Sequence, residues 1–116
     1  MRNPKDTNEL PHEKAHIALE IIEYIPNSIV CKTIIHKNTG NITVSSFDSD
    51  TNMAEKISPF DKYILLIDGT AEITINERKH TLKAGEGIII PSHARHHYQA
   101  HQQFKMISTI IKSGYE

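Results

Sequence analysis

The chain has 116 residues, 13 Lys and Arg against 14 Asp and Glu, and a net charge of −1. That length suits one compact domain and is too short for two. A nearly neutral chain has no long-range field to draw in nucleic acid or an anionic membrane, so neither partner is expected. The single cysteine, Cys31, excludes an internal disulfide framework and a cysteine-rich zinc site.

Residues 1–15 are polar, with Pro4 and Pro11, and read as a mobile tail. Nothing in them forms the apolar core of a signal peptide, and no later run approaches membrane-spanning length. The expected location is therefore the reducing cytoplasm. Residues 16–116 read as the folded domain. Within them Ile17, Ile21 and Ile22 form a short helical face, ended by Ile25-Pro26-Asn27.

Beyond that point the chain turns to β pattern. It contains 19 Ile and 5 Leu, and β-branched side chains suit a pleated, half-buried surface better than a helix. Ser28–His36 reads as a strand, with Cys31 as a small apolar filler. Lys37-Asn38-Thr39-Gly40 is a turn, and the alternation over Asn41–Phe47 completes a hairpin. Asp48–Glu55 is polar and reads as irregular. Tyr63–Ile67 is an apolar strand, Asp68-Gly69 a turn, and Thr70–Ile75 a further strand. Arg78–Leu82, Ile88–Ile90 (stopped by Pro91), His96–Ala100 and Phe104–Ile111 follow. Eight short strands with regular turn signals predict an all-β sandwich or barrel.

These strands carry a resemblance. The run Gly85-Glu86-Gly87-Ile88-Ile89-Ile90-Pro91-Ser92-His93-Ala94-Arg95-His96 resembles the second cupin motif: a glycine, five residues, a proline, and a histidine after four more. Asp68–Ile75 resembles the turn and strand that close the first motif. With Ser58-Pro59-Phe60-Asp61 and Phe104-Lys105-Met106, the likeness runs from about Ile22 to Ile111. It is to the small type-2 cupins of bacteria, of the RmlC-like jelly-roll kind. It implies a single β-barrel open at one end, and usually a homodimer.

The resemblance also implies a metal site of His-x-His and Glu from the first motif and His from the second. Carried over, those positions fall on Lys56, Ser58, Lys62 and His96. Only His96 keeps a ligand. Ammonium groups hold their protons near neutral pH and do not coordinate, so no metal and no other cofactor is expected. Asp61, next to Lys62, points the other way by the strand period unless a bulge intervenes. Other departures are His93 and Asp50 at motif glycines and Ala100 at the terminal Asn.

Two histidine patterns compete. His12-Glu13-Lys14-Ala15-His16 matches H-E-x-x-H, but it sits in a polar tail without a supporting helix. His93, His97 and His101 are four apart, yet the β pattern puts His96, Tyr98 and Ala100 on one face and His97, Gln99 and His101 on the other. The outward histidines read as surface groups able to pick up nickel or zinc adventitiously. His36 and His80 read as isolated surface residues.

The resulting expectation is a cupin barrel that binds a small polar or anionic metabolite. Lys56, Ser58, Lys62, His96 and Tyr98 form its wall, and no catalytic residue is assigned. A metal-dependent isomerase or dioxygenase built around His96, and a structural dimer module with a dry barrel, are the alternatives.

Overall fold

The computed structural model describes residues 9–114. Among these residues, eight strands follow a 3₁₀ turn at Ala18–Glu20: β1 (Ile29–Lys37), β2 (Gly40–Phe47), β3 (Asn52–Ile57), β4 (Asp61–Ile75), β5 (Arg78–Lys83), β6 (Gly87–Ile90), β7 (Arg95–Gln99) and β8 (Phe104–Ile111). They pair in the order β1-β2-β8-β4-β7-β3, with β5 and β6 also on β4. The result is an all-β barrel, as the strand pattern predicts, of the jelly-roll kind that the resemblance implies, with one short helical turn among the described residues.

The hairpin β1–β2 forms around Asn38-Thr39. Two other predicted details are corrected. Asp48–Glu55, expected to be irregular, contains most of β3, which among the described strands pairs only with β7. Its polar sequence suits an edge strand that hides little surface.

The second correction concerns Asp68-Gly69, read as a turn between two strands. It lies inside the 15-residue β4. The register slips between Leu66 and Asp68, and Gly69 takes φ +75°. A Cβ at Gly69 would run into the Gln103 carbonyl. Glycine therefore makes a bulge here, and an extra residue in one strand reverses the alternation beyond it. Ile64 and Leu66 are buried before the bulge, and Ala71, Ile73 and Ile75 after it. One strand thus serves both sheets: Asp61–Gly69 pairs with β8, and Thr70–Ile75 with β5.

The core lies between the sheets. Phe47 stacks on Phe104 at 4.3 Å between ring centroids, and Tyr98 tilts against Phe47 at 5.9 Å. Ile64, Leu66, Ile73, Ile90 and Met106 pack around them.

The segment before β1 is strapped to the barrel. Ile22 is buried, the Ser46 hydroxyl donates to the Glu23 carbonyl (2.8 Å), and the Lys105 ammonium donates to the Leu19 carbonyl (2.6 Å). Residues 1–8 of the expected tail lie outside the described residues. Leu10 donates its N–H to Ile34, and Glu9 accepts the His36 N–H, so both reach β1. His12 to His16 are exposed and not helical, which leaves the H-E-x-x-H pattern without its geometry. Among the described residues no helix is long and apolar enough to cross a membrane.

Candidate functional site

β4 and β7 bring three of the five expected wall residues together. Residues 62, 64 and 66 share one face of β4, so Lys62 follows buried Ile64 and Leu66 into the barrel. On β7, His96 and Tyr98 are buried, followed by buried Ala100. Lys62 Nζ lies 3.3 Å from Nε2 of His96 and 3.4 Å from the Tyr98 hydroxyl. The two rings meet edge to face at 5.6 Å.

Nδ1 of His96 lies 3.2 Å from the Ala94 carbonyl, an acceptor only, which assigns the ring proton to Nδ1. Nε2 then presents its lone pair to Lys62. Burial, reinforced by the Lys62, Lys56 and His97 charges, holds the His96 pKa below the usual histidine range, against the opposing Ala94 bond. The ring is therefore neutral near pH 7. Burial and then the Lys56 charge also push Lys62 below the usual lysine value. Tyr98 is pushed upward, first by burial, and keeps its proton.

The other two wall residues sit at the rim. Lys56 is exposed on β3, opposite His96 in register. The Ser58 hydroxyl accepts the Phe60 N–H at 3.2 Å, and its carbonyl accepts the His93 N–H at 2.7 Å. Ser58 thus shapes the turn before β4. Asp61 points away from Lys62, accepting the Ser92 N–H at 2.8 Å. No carboxylate lies within ion-pair distance of Lys56 or Lys62 among the described residues.

Cys31 was read as an apolar filler, but it is exposed. Its thiol lies 3.2 Å from the Ser45 hydroxyl. A bulge between Thr33 and Ile35 is the cause. An unbroken register from the turn would pair Cys31 with Ser46, whose hydroxyl faces the Glu23 strap. The bulge pairs it with Ser45 and turns it toward the barrel mouth.

The residues do not fit the metal that the fold family implies. Lys62 Nζ stands in front of the one His96 nitrogen with a free lone pair. No group of three His, Cys, Asp or Glu side chains able to hold an ion occurs among the described residues. The outward histidines are separate: His101 pairs with Glu72 at 3.2 Å, and His93 sits in the turn before β7. Two surface clefts lie elsewhere. One of about 310 Å³ is lined by Thr70, Glu72, Thr81 and His101, and one of about 230 Å³ by Ile35, Ile42 and Ile110.

Comparison with known proteins agrees with this architecture. Residues 54–110 match the model of the Cupin domain family. A conserved protein of unknown function from Streptococcus pyogenes superposes with a TM-score of 0.86 at 24% identity, covering 92% of this chain and 94% of that one. A cupin superfamily protein from Desulfitobacterium hafniense gives 0.80 at 22%, covering 90% and 94%. An RmlC-like cupin from Shewanella frigidimarina gives 0.74 at 14%, covering 91% and 95%. No curated protein matches the sequence significantly. The chain is thus similar to the cupin domain family over residues 54–110 and shares the fold of these cupin structures.

Proposed function

We propose that this cupin binds a small anionic metabolite at the barrel mouth, with Lys62 as the central contact and Lys56 as a second cation. The observation that carries the reading is the Lys62 ammonium, half-buried against a neutral imidazole and a phenol, with no carboxylate partner among the described residues. A half-buried cation without a counter-charge is costly, and an incoming carboxylate or phosphate removes that cost. His96 and Tyr98 add hydrogen-bonding positions to the floor, and Ser58 bounds the rim.

The test is thermal stability against a panel of organic acids and phosphates at low and raised salt. An anion should raise the melting temperature of the wild type, more at low salt, and leave Lys56→Met/Lys62→Met unmoved. Neutral sugars that stabilise equally would overturn the reading. A homodimer is part of the same proposal. Tyr63, Ile89 and Ile111 are exposed on one outer sheet face, and a second copy would cover them.

A further inference from the structure

The mouth of the barrel combines groups that anion binding alone does not use. Lys62 Nζ is within hydrogen-bond distance of Nε2 of His96, which carries a lone pair, and of the Tyr98 hydroxyl, which carries a proton. A second cation, Lys56, lies exposed beside them. An amine, a proton acceptor, a proton donor and a carboxylate-binding cation are thus grouped at one opening. We infer that Lys62 captures the carbonyl group of a small 2-oxo acid as an imine, with the acid's carboxylate held by Lys56. The inference rests on the anion-binding reading above and gives it a substrate class.

The chemistry balances without an oxidant or reductant. The lone pair of the neutral Lys62 amine adds to the carbonyl carbon, and the C=O π pair moves to oxygen, which accepts a hydrogen bond from the Tyr98 hydroxyl while Tyr98 keeps its own proton. Both amine protons pass in turn through Nε2 of His96 to that oxygen, which leaves as water. The nitrogen pair then closes the C=N bond. One amine and one ketone give one imine and one water.

Lysines that do this elsewhere are desolvated or set beside another cation, because both raise the neutral fraction of the amine. Lys62 meets both conditions, being half-buried and close enough to Lys56 to feel its charge. Cys31 is the other nucleophile at the opening, but its thiol shares a hydrogen bond with Ser45 on the exposed edge strand.

The experiment uses the full chain with pyruvate and sodium cyanoborohydride at neutral pH, followed by intact mass and peptide mapping. The expected product is one adduct, heavier by pyruvate less one oxygen atom. It should map to Lys62 and form about tenfold faster than at any other lysine. Cys31→Ser should keep it. Lys62→Arg should lose it, while lactate, which has no ketone, should still raise that variant's melting temperature. Acetone, with no carboxylate, should label Lys62 far more slowly than pyruvate does.

Labelling spread over surface lysines without excess at Lys62 would overturn the inference, as would an unchanged adduct in Lys62→Arg. Equal labelling by acetone would remove the carboxylate and overturn the substrate class. Stabilisation by lactate and pyruvate without a Lys62 adduct would overturn the covalent step and leave anion binding standing. A Lys62 adduct without lactate stabilisation would support the covalent step and overturn reversible anion binding.

Discussion

Lys62 and His96 lie 34 positions apart in the chain, yet their side-chain nitrogens meet at 3.3 Å inside the barrel, Lys62 from the part of β4 paired with β8 and His96 from β7, which pairs with the far end of β4. The contact needs a neutral imidazole, because a protonated ring would turn a second N–H toward the ammonium. Two like-signed groups are thus held together by keeping one of them uncharged.

The first prediction follows from that relationship. The folded His96 pKa lies below its unfolded value near 6.5, so the unfolded chain binds the extra proton first. The stability linked to His96 is fully present above pH 6.5 and is lost as pH falls through the folded value. Lys62, Lys56, His97 and Tyr98 are the titratable groups facing the ring. Urea unfolding between pH 5 and 8 should show stability declining on the acid side, with a shallower decline in His96→Gln. An identical slope in both proteins would refute the account.

A second prediction concerns Lys62→Met. The lysine charge is half-buried and unpaired, so the unliganded variant should be more stable than wild type at pH 7. The gain expected for replacing a poorly compensated charge with a similar apolar side chain is on the order of 1 kcal/mol. The same change should remove the response to anions. Chemical denaturation without ligand checks the first effect and thermal shift the second. A variant that is less stable without ligand would show Lys62 to be well compensated in the fold.

Parts of this site were legible in the sequence and parts were not, for physical reasons. The strand period alone placed His96, Tyr98 and Ala100 on one face, because β7 pairs with β4 without interruption. Lys62 was legible in the same way, since its strand runs regularly to Leu66. Cys31 was not, because the bulge between Thr33 and Ile35 leaves no distinct signal among β-branched residues. Asp68-Gly69 misled in the opposite direction. A tight turn and a glycine bulge ask for the same positive φ, so the dipeptide cannot tell a chain reversal from a bend.

The third prediction tests that bend. Gly69→Ala would force a Cβ into the Gln103 carbonyl in a backbone conformation that L-residues avoid. A loss of roughly 2 kcal/mol or more is expected from the left-handed conformation and the backbone shift together. Equilibrium unfolding checks it. A loss under half that size would mean that the bulge relaxes freely.

A fourth prediction comes from the two motif glycines that this chain has replaced. Asp50 has φ +63° and His93 φ +66°, so both hold the conformation that glycine adopts without strain. Asp and His tolerate it better than most residues, but at a cost. His93→Gly should therefore raise stability modestly, by about 0.5 kcal/mol once glycine's extra unfolded entropy is subtracted. His93→Val should lower it, because a branched Cβ fits that region worst. Equal stability of the Gly and Val variants would show that the turn adjusts its backbone.

The last prediction concerns the outer face of the sheet. Tyr63 and Ile89 are cross-strand neighbours and are 45% and 63% exposed, with Ile111 at 55% close by on β8. Beneath the same sheet Ile64 and Leu66 are fully buried, so the outward apolar residues are not the overflow of a crowded core. A contiguous apolar surface on a sheet is the kind that a two-fold copy covers, and burying it stabilises by roughly 25 cal/mol per Å². Light scattering at micromolar concentration should give the mass of a dimer. Tyr63→Glu/Ile89→Lys should give a monomer with an unchanged far-ultraviolet spectrum, since neither side chain reaches the core. A wild-type monomer would leave this face without a second copy. A dimer that survives the double change would place the interface elsewhere, along the backbone edge of β3.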